Sequence, residues 1–154
     1  MIIREATRAD SKWILHHRIG MFEAMGESKG FLEETRRLTQ EYVDGDWTKD
    51  YRYFLVEEDG DVIGGCGLST FRIPPKELQK TGVYGYLSNM FIEPEYRRHG
   101  LGHELLRYII EHSKQEGIGL LLLHASKEGS LLYQTMDFEN NPRLMQLITS
   151  NENQ

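Results

Sequence analysis

The sequence predicts one α/β domain, of α+β type, built on a mixed and mostly antiparallel sheet. Three observations carry that prediction. Strand-like and helix-like apolar periods follow one another in the order β-α-α-β-β-β-α-β-α-β, with no internal repeat or linker. Asp59-Gly60 joins two strand-like runs as a hairpin turn, so the early strands are antiparallel. Arg97-x-x-Gly100-x-Gly102 stands between an apolar run and a strong helical pattern, which sets up a β-α-β unit late in the chain. The 154 residues suit one domain with a real core, spanning 1–149, followed by a polar tail at 150–154.

Each element has its own signal. Ile2 to Ala6 reads as the first strand. Thr7-x-x-Asp10 marks a helix start, and Ile14, Arg18, Met21, Phe22 and Met25 then recur at helical spacing up to Gly26. A second helix runs from Phe31 to about Gly45, with Leu32, Leu38, Tyr42 and Val43 as its apolar members. Tyr51 to Glu58 and Val62 to Phe71 are the hairpin strands. Pro74-Pro75 through Gly82 is a loop, and Val83 to Glu93 is the fourth strand. Gly100 to Glu116 is the clearest helix: Leu101, Leu105, Tyr108, Ile109 and His112 share a face, and Gly117 stops it. Ile118 to His124 contains four consecutive leucines, which predicts a central strand buried on both faces. Glu128 to Met136 is a short helix, and Leu144 to Thr149 is a last strand that offers a sheet edge.

Bulk properties narrow the function. Hydrophobic residues make up 39% and charged residues 27%, as in ordinary globular proteins. A net charge of −6 gives no broad attraction for nucleic acid or an anionic membrane. The Arg97-Arg98-His99 cluster is therefore a local positive patch, suited to a discrete anionic ligand. Cys66 is the single cysteine, which excludes an intrachain disulfide and fits a reducing, cytoplasmic setting; within a strand it reads as a buried, inert thiol. No apolar run reaches membrane-spanning length, and Met1-Ile2-Ile3 is too short for a signal peptide.

The segment Arg97 to Gly102 has the chemistry of a phosphate site. Glycines leave their backbone open to close approach and accept φ > 0. A helix N-terminus presents unpaired N–H groups and the positive end of its dipole. Adjacent arginines add charge and forked donors. Two competing readings fail on context. A dinucleotide-binding turn would carry a third glycine and follow a first strand; here Gly102 leads through His103 into Glu104 and Leu105, with no third glycine, and the motif lies late in the chain. A Walker-type loop needs Gly-Lys-Ser/Thr, which does not occur. His99 and His103 have a metal-compatible spacing, but no third ligand stands near them, so no metal is expected. His16-His17 reads as a partly exposed helix face, and Trp13, Met21, Phe22 and Met25 as core residues or the lining of a pocket.

Asn89 to Gly102, with Glu93-Pro94-Glu95-Tyr96 leading into the glycines, resembles the acyl-CoA-binding motif of the GNAT superfamily of acyl-CoA N-acyltransferases. Leu132-Tyr133-Gln134-Thr135-Met136-Asp137-Phe138 is similar to that family's Leu-Tyr-x-x-x-Gly-Phe signature, with Asp137 in place of glycine; Asp tolerates the left-handed conformation such a helix stop needs. Arg18-x-x-Met21-Phe22-x-x-Met25-Gly26 looks like the first helix of a bacterial subgroup. The resemblance covers about Ile2 to Ile148.

The resemblance implies acetyl-CoA as cosubstrate, a small-molecule amine as acceptor, and a fourth strand splayed from the fifth by a bulge. It implies that the backbone of Arg97, Arg98, His99, Gly100, Leu101 and Gly102 holds the pyrophosphate. Met90, Phe91 and Ile92 would bond the pantetheine arm, and Ser126, with His124 and Ala125, would border the slot. Tyr133 would protonate the leaving thiolate, the amide of Phe91 or Ile92 would stabilise the oxyanion, and Arg18, Met21, Glu23 and Met25 would meet the acceptor. The base stays open between Glu23, Glu33, His124 and a water chain. A non-catalytic acyl-CoA sensor and acetylation of a protein amine are the alternatives. Family members often dimerise, and the last strand would supply an edge for a homodimer.

Overall fold

A computed structural model describes residues 1–150. Its elements are β1 (Ile2–Glu5), α1 (Ser11–Ala24), α2 (Lys29–Asp44), β2 (Tyr51–Glu58), β3 (Asp61–Arg72), β4 (Val83–Ile92), α3 (Leu101–Gln115), β5 (Leu120–Leu123) and α4 (Ser130–Gln134), with short 3-10 turns at Arg8–Asp10, Trp47–Lys49 and Pro94–Tyr96. The strands form one sheet in the order β1-β2-β3-β4-β5. All neighbouring pairs are antiparallel except β4 and β5, which are parallel. No described helix is long and apolar enough to cross a membrane.

Period-two alternation in β2 splits the core into two layers. Tyr51, Tyr53 and Leu55 point into a cluster with Ile14 of α1, Val43 of α2 and Trp47. Phe54 and Val56 point the other way, into a larger cluster with Ile63, Leu68, Leu87 and the buried face of α3, Leu105, Leu106 and Ile109. So α1 and α2 cover one face of the sheet, and α3 covers the other. Leu132, Tyr133 and Met136 pack α4 against the same layer as α3.

Local chemistry explains the ends of these elements. Asp10 accepts the Thr7 backbone N–H at 2.8 Å and is gripped by the two terminal guanidinium nitrogens of Arg4, at 2.9 Å each. The Ser28 hydroxyl caps α2 by accepting the Phe31 N–H at 3.2 Å. Asp137 does adopt the left-handed conformation (φ 64), and the Phe138 N–H closes the end of α4 on the Tyr133 carbonyl at 3.0 Å. Cys66 is fully buried, and burial pushes its thiol up to about 12.

Three expectations change. The four-leucine strand is an edge strand, not a central one: β5 pairs with β4 alone, over Tyr84↔Leu120 to Leu87↔Leu123, and all four leucines are half-buried. Its apolar run reflects partial cover on both faces. Leu144–Thr149 forms no strand, because it pairs with no sheet edge; Leu144, Met145, Leu147 and Ile148 are exposed. His17 is fully buried rather than on an exposed face, although its neighbour His16 is exposed and meets Glu93 at 2.5 Å. Of the expected tail, residues 151–154 lie outside the described residues.

Candidate active site

The site begins at a fault in the sheet. Gly65 pairs with Phe91 and Gly67 with Ser88, so Cys66 alone on β3 faces two residues, Asn89 and Met90, on β4. That extra residue is a β-bulge, which bends the strand and redirects its backbone. Asn89 takes it up with φ 61, a conformation asparagine tolerates. Pairing between β4 and β5 ends at Leu87↔Leu123, so Ser88–Ile92 continue with no strand partner on that side. A β4–β5 gap results.

Buried polar groups hold the bulge. The Asn89 side-chain amide donates to the Ile14 carbonyl of α1 at 3.1 Å and to the Tyr53 hydroxyl at 3.2 Å. The same hydroxyl meets His17 Nδ1 at 2.9 Å. Gly65 leaves room for this cluster: a Cβ there would stand 2.5 Å from Tyr53 and 2.9 Å from His17.

Beyond the C-terminal end of β4, on the same side as the bulge, the chain turns through Arg98 (φ 66) and Gly100 (φ 81) into α3. Among the described residues, no protein acceptor meets the consecutive backbone N–H groups from Arg98 to His103. Nothing lies within 4 Å of a Cβ placed on Gly100, so the turn faces open space. These free donors at the positive end of a fifteen-residue helix fit a phosphate group. Gly102 has a second role. A Cβ there would come within 3.2 Å of Leu132, so the bare backbone lets α4 pack against α3 and brings Tyr133 to the site.

A cavity of about 920 Å³ joins these parts. It is lined from both faces of the sheet, by Arg18, Met21, Phe22 and Met25 of α1 and by Gly100, Leu101, Gly102 and His103 at the start of α3, so it runs through the β4–β5 gap. Met90, Phe91, Ile92, Arg97, Arg98, Ser126 and Tyr133 also line it. His99 does not; it is exposed and its Nδ1 meets the Tyr96 carbonyl at 3.2 Å. Glu23 and Glu33 are exposed on their helices and outside the lining. Arg97 turns back onto β4, donating from Nε to the Ile92 carbonyl at 2.7 Å. Ser126 accepts the Gly129 N–H at 3.0 Å and so shapes the entry to α4.

The titratable groups in the wall are uneven. Burial raises the Tyr133 phenol well above its ordinary value of 10.0, with Cys66 and Tyr86 adding to the effect, so it stays protonated at neutral pH. Its hydroxyl meets no protein partner among the described residues. Tyr86 bonds His124 Nδ1, and both line the cavity. Arg18, Arg97 and Arg98 stand against a single acidic residue of the lining, Glu128. The wall is thus cationic within an acidic protein.

Sequence reading missed Tyr86 and the group His17, Tyr53 and Asn89. Their partners lie 36 to 75 residues away, and nothing in the local pattern reports such pairings.

Fold and site together define an acyltransferase scaffold: a split β4–β5 pair with a helix start of free backbone N–H groups beside it. The model of the acetyltransferase (GNAT) family matches residues 19–134, and the chain belongs to that family, a class of acyl-CoA-dependent acyltransferases. Among curated relatives, glucosamine 6-phosphate N-acetyltransferase of Trypanosoma brucei brucei is 26% identical over 96 residues, 62% of this chain and 63% of that protein, so the chain spans less than two thirds of that relative's length. The Arabidopsis thaliana protein of the same name is 22% identical over 134 residues, covering 80% of this chain and 90% of the relative. The fold is shared with a GCN5-related N-acetyltransferase from Ralstonia eutropha JMP134, at TM-score 0.81 and 23% identity over 97% of this chain and 99% of the other. It is shared too with a predicted acetyltransferase from Clostridium acetobutylicum solved with acetyl-CoA, at TM-score 0.80 and 23% identity over 96% and 95%.

Proposed function

We propose that this protein moves an acetyl group from acetyl-CoA to a primary amine of a small molecule, with residues 1–149 as its catalytic domain. The observation that carries the reading is the run of unpartnered N–H groups from Arg98 to His103 at the mouth of a cavity that passes through the β4–β5 gap to Tyr133. Relatives named for acetylating glucosamine 6-phosphate support a small-molecule amine as the acceptor.

Bound acetyl-CoA supplies an activated thioester. The residues of this chain do the rest. The turn from Arg98 to Gly102 binds the diphosphate through backbone N–H groups, and Gly100 keeps the approach clear. The unpaired edge of β4 at Met90, Phe91 and Ile92 orients the arm, and an amide of Phe91 or Ile92 is the donor for developing oxyanion charge. Orientation of two reactants in one cavity lowers the barrier by itself. The leaving thiolate, with an ordinary pKa of ~8.5, takes its proton from the Tyr133 hydroxyl. Of the three side chains considered as base, His124 alone lines the cavity, and its bond to Tyr86 orients the ring. Arg18, Met21 and Met25 form the acceptor end.

The test is thiol release from acetyl-CoA across a panel of amines, wild type beside Tyr133→Phe. Turnover that drops in the variant supports the reading. Tight acetyl-CoA binding with no turnover on any amine would make the protein an acyl-CoA-binding module instead.

A further inference from the structure

Arg18 stands where two cavities meet. It lines the main one and also a second, of about 330 Å³, between α1, α2 and the sheet. The second cavity is walled by the hydroxyl-bearing Thr35, Thr39, Tyr42, Tyr51, Ser69 and Ser88 and by no carboxylate. Among the described residues the hydroxyls of Thr35, Tyr42 and Ser69 meet no protein partner.

The charge on Arg18 is not balanced by protein. The chain has 24 acidic residues, yet none pairs with Arg18 among the described residues; its guanidinium rests 5.2 Å from the Phe22 ring centre. Arg36, Arg72, Arg97, Arg98 and Arg143 also lack ion pairs, but all are exposed, whereas Arg18 is half-buried. Removing a charge from water without a partner is costly, so an unpaired, half-buried guanidinium at a cavity junction calls for an external counter-ion. The phosphate-binding turn of α3 lies on the opposite face of the sheet, so a ligand held there leaves this cation to a second molecule.

We propose that the acceptor amine carries an oxyanionic group, a carboxylate or a phosphate, that pairs with Arg18 and receives hydrogen bonds from the hydroxyls of the second cavity. This rests on the reaction proposed above and specifies its acceptor. Arginine suits the task because its planar fork matches both oxyanions. The hydroxyls add donors without charge, and a cavity of this volume admits a small ligand or one end of it.

The experiment is calorimetric titration of the CoA-loaded protein with matched pairs of amines. One arm compares an amino acid with its amide, and the other compares a phosphorylated amino sugar with its unphosphorylated parent. In at least one arm the charged member should bind about tenfold more tightly, the weight of one charge-assisted contact. Which arm responds tells carboxylate from phosphate. Arg18→Gln should bring the two members of that pair to within about twofold, while Arg18→Lys should keep part of the difference because it keeps the charge. Equal binding in both arms by the wild type, or a charge preference that survives in Arg18→Gln, overturns the proposal. Thiol release is scored separately: charge-selective binding without turnover defeats the transfer reaction and leaves the anion site, and turnover of neutral and anionic amines alike does the reverse.

Discussion

Asn89 is tied to Ile14: its side-chain amide donates to the Ile14 carbonyl at 3.1 Å across 75 residues of sequence, and this bond fastens α1 to the bulge in β4. The bulge opens the sheet, and α1 carries Arg18 and Met21 to the opening. One asparagine thus couples the α1 wall of the cavity to the slot. Asn89→Ala should lose about 2–3 kcal/mol of stability, through a strained positive φ and an unpaired buried carbonyl. Asn89→Gly should recover the backbone part alone. Urea unfolding of the three proteins checks this, and equal midpoints for wild type and Asn89→Ala would show that the tether is idle.

His17 lies in the same cluster, and it makes stability depend on pH. Burial, with the neighbouring His16 adding to it, holds its imidazole down to about 3. The unfolded chain takes up that proton near ~6.5. Between the two values the unfolded state binds more protons, so the contribution is complete above about pH 6.5 and is lost as pH falls toward 3, by about 1.4 kcal/mol per pH unit. Unfolding midpoints measured from pH 7 to pH 4 should fall accordingly, and the slope should flatten in His17→Gln.

Gly65 is the floor of that cluster. A methyl group there would lie 2.5 Å from the Tyr53 ring and 2.9 Å from the Phe54 carbonyl, and the carbonyl is backbone that cannot swing away. Gly65→Ala should cost about 1–3 kcal/mol as an overpacked core position. A thermal unfolding curve matching the wild type would mean that the bulge relaxes freely.

Gly100 separates stability from binding. Its φ of 81 penalises any side chain, but a Cβ would meet nothing within 4 Å. Gly100→Val should fold with a loss of about 1–2 kcal/mol, as expected for a β-branched residue forced into a left-handed conformation. Its affinity for CoA should fall by more than tenfold, because the side chain fills the space before the free N–H groups. Calorimetry with CoA decides, and an unchanged dissociation constant would move the phosphate site elsewhere.

Tyr133→Phe removes a hydroxyl that meets no protein partner among the described residues, so the fold should be untouched. If Tyr133 is the acid proposed above, its loss should lower kcat by about 10²–10⁴-fold. KM for acetyl-CoA should change little, the pattern of a group acting in the transition state. Steady-state kinetics with a thioester of a more acidic thiol, whose thiolate leaves with less help from an acid, should narrow the gap between the two proteins.

Much of this protein is written locally. Apolar periods, the Asp59-Gly60 turn and Gly117 place most elements within two residues of their observed limits, because repeat length and positive-φ positions are properties of neighbouring residues. The glycine turn and Tyr133 are legible for the same reason. Where reading the chain failed, the answer lay in distant partners. Four leucines announce an apolar strand but not that it ends the sheet, and Leu144–Thr149 has strand composition with no edge to join. His17 looks like its neighbour His16 until Tyr53 closes over it. Sequence alone determined the family, most of the elements and the glycine turn whose free backbone groups suit a phosphate. Tertiary structure decided the bulge at Asn89, the pairing of Tyr86 with His124 and the isolation of Arg18 between two cavities, since each depends on contacts that only a folded chain can bring within reach.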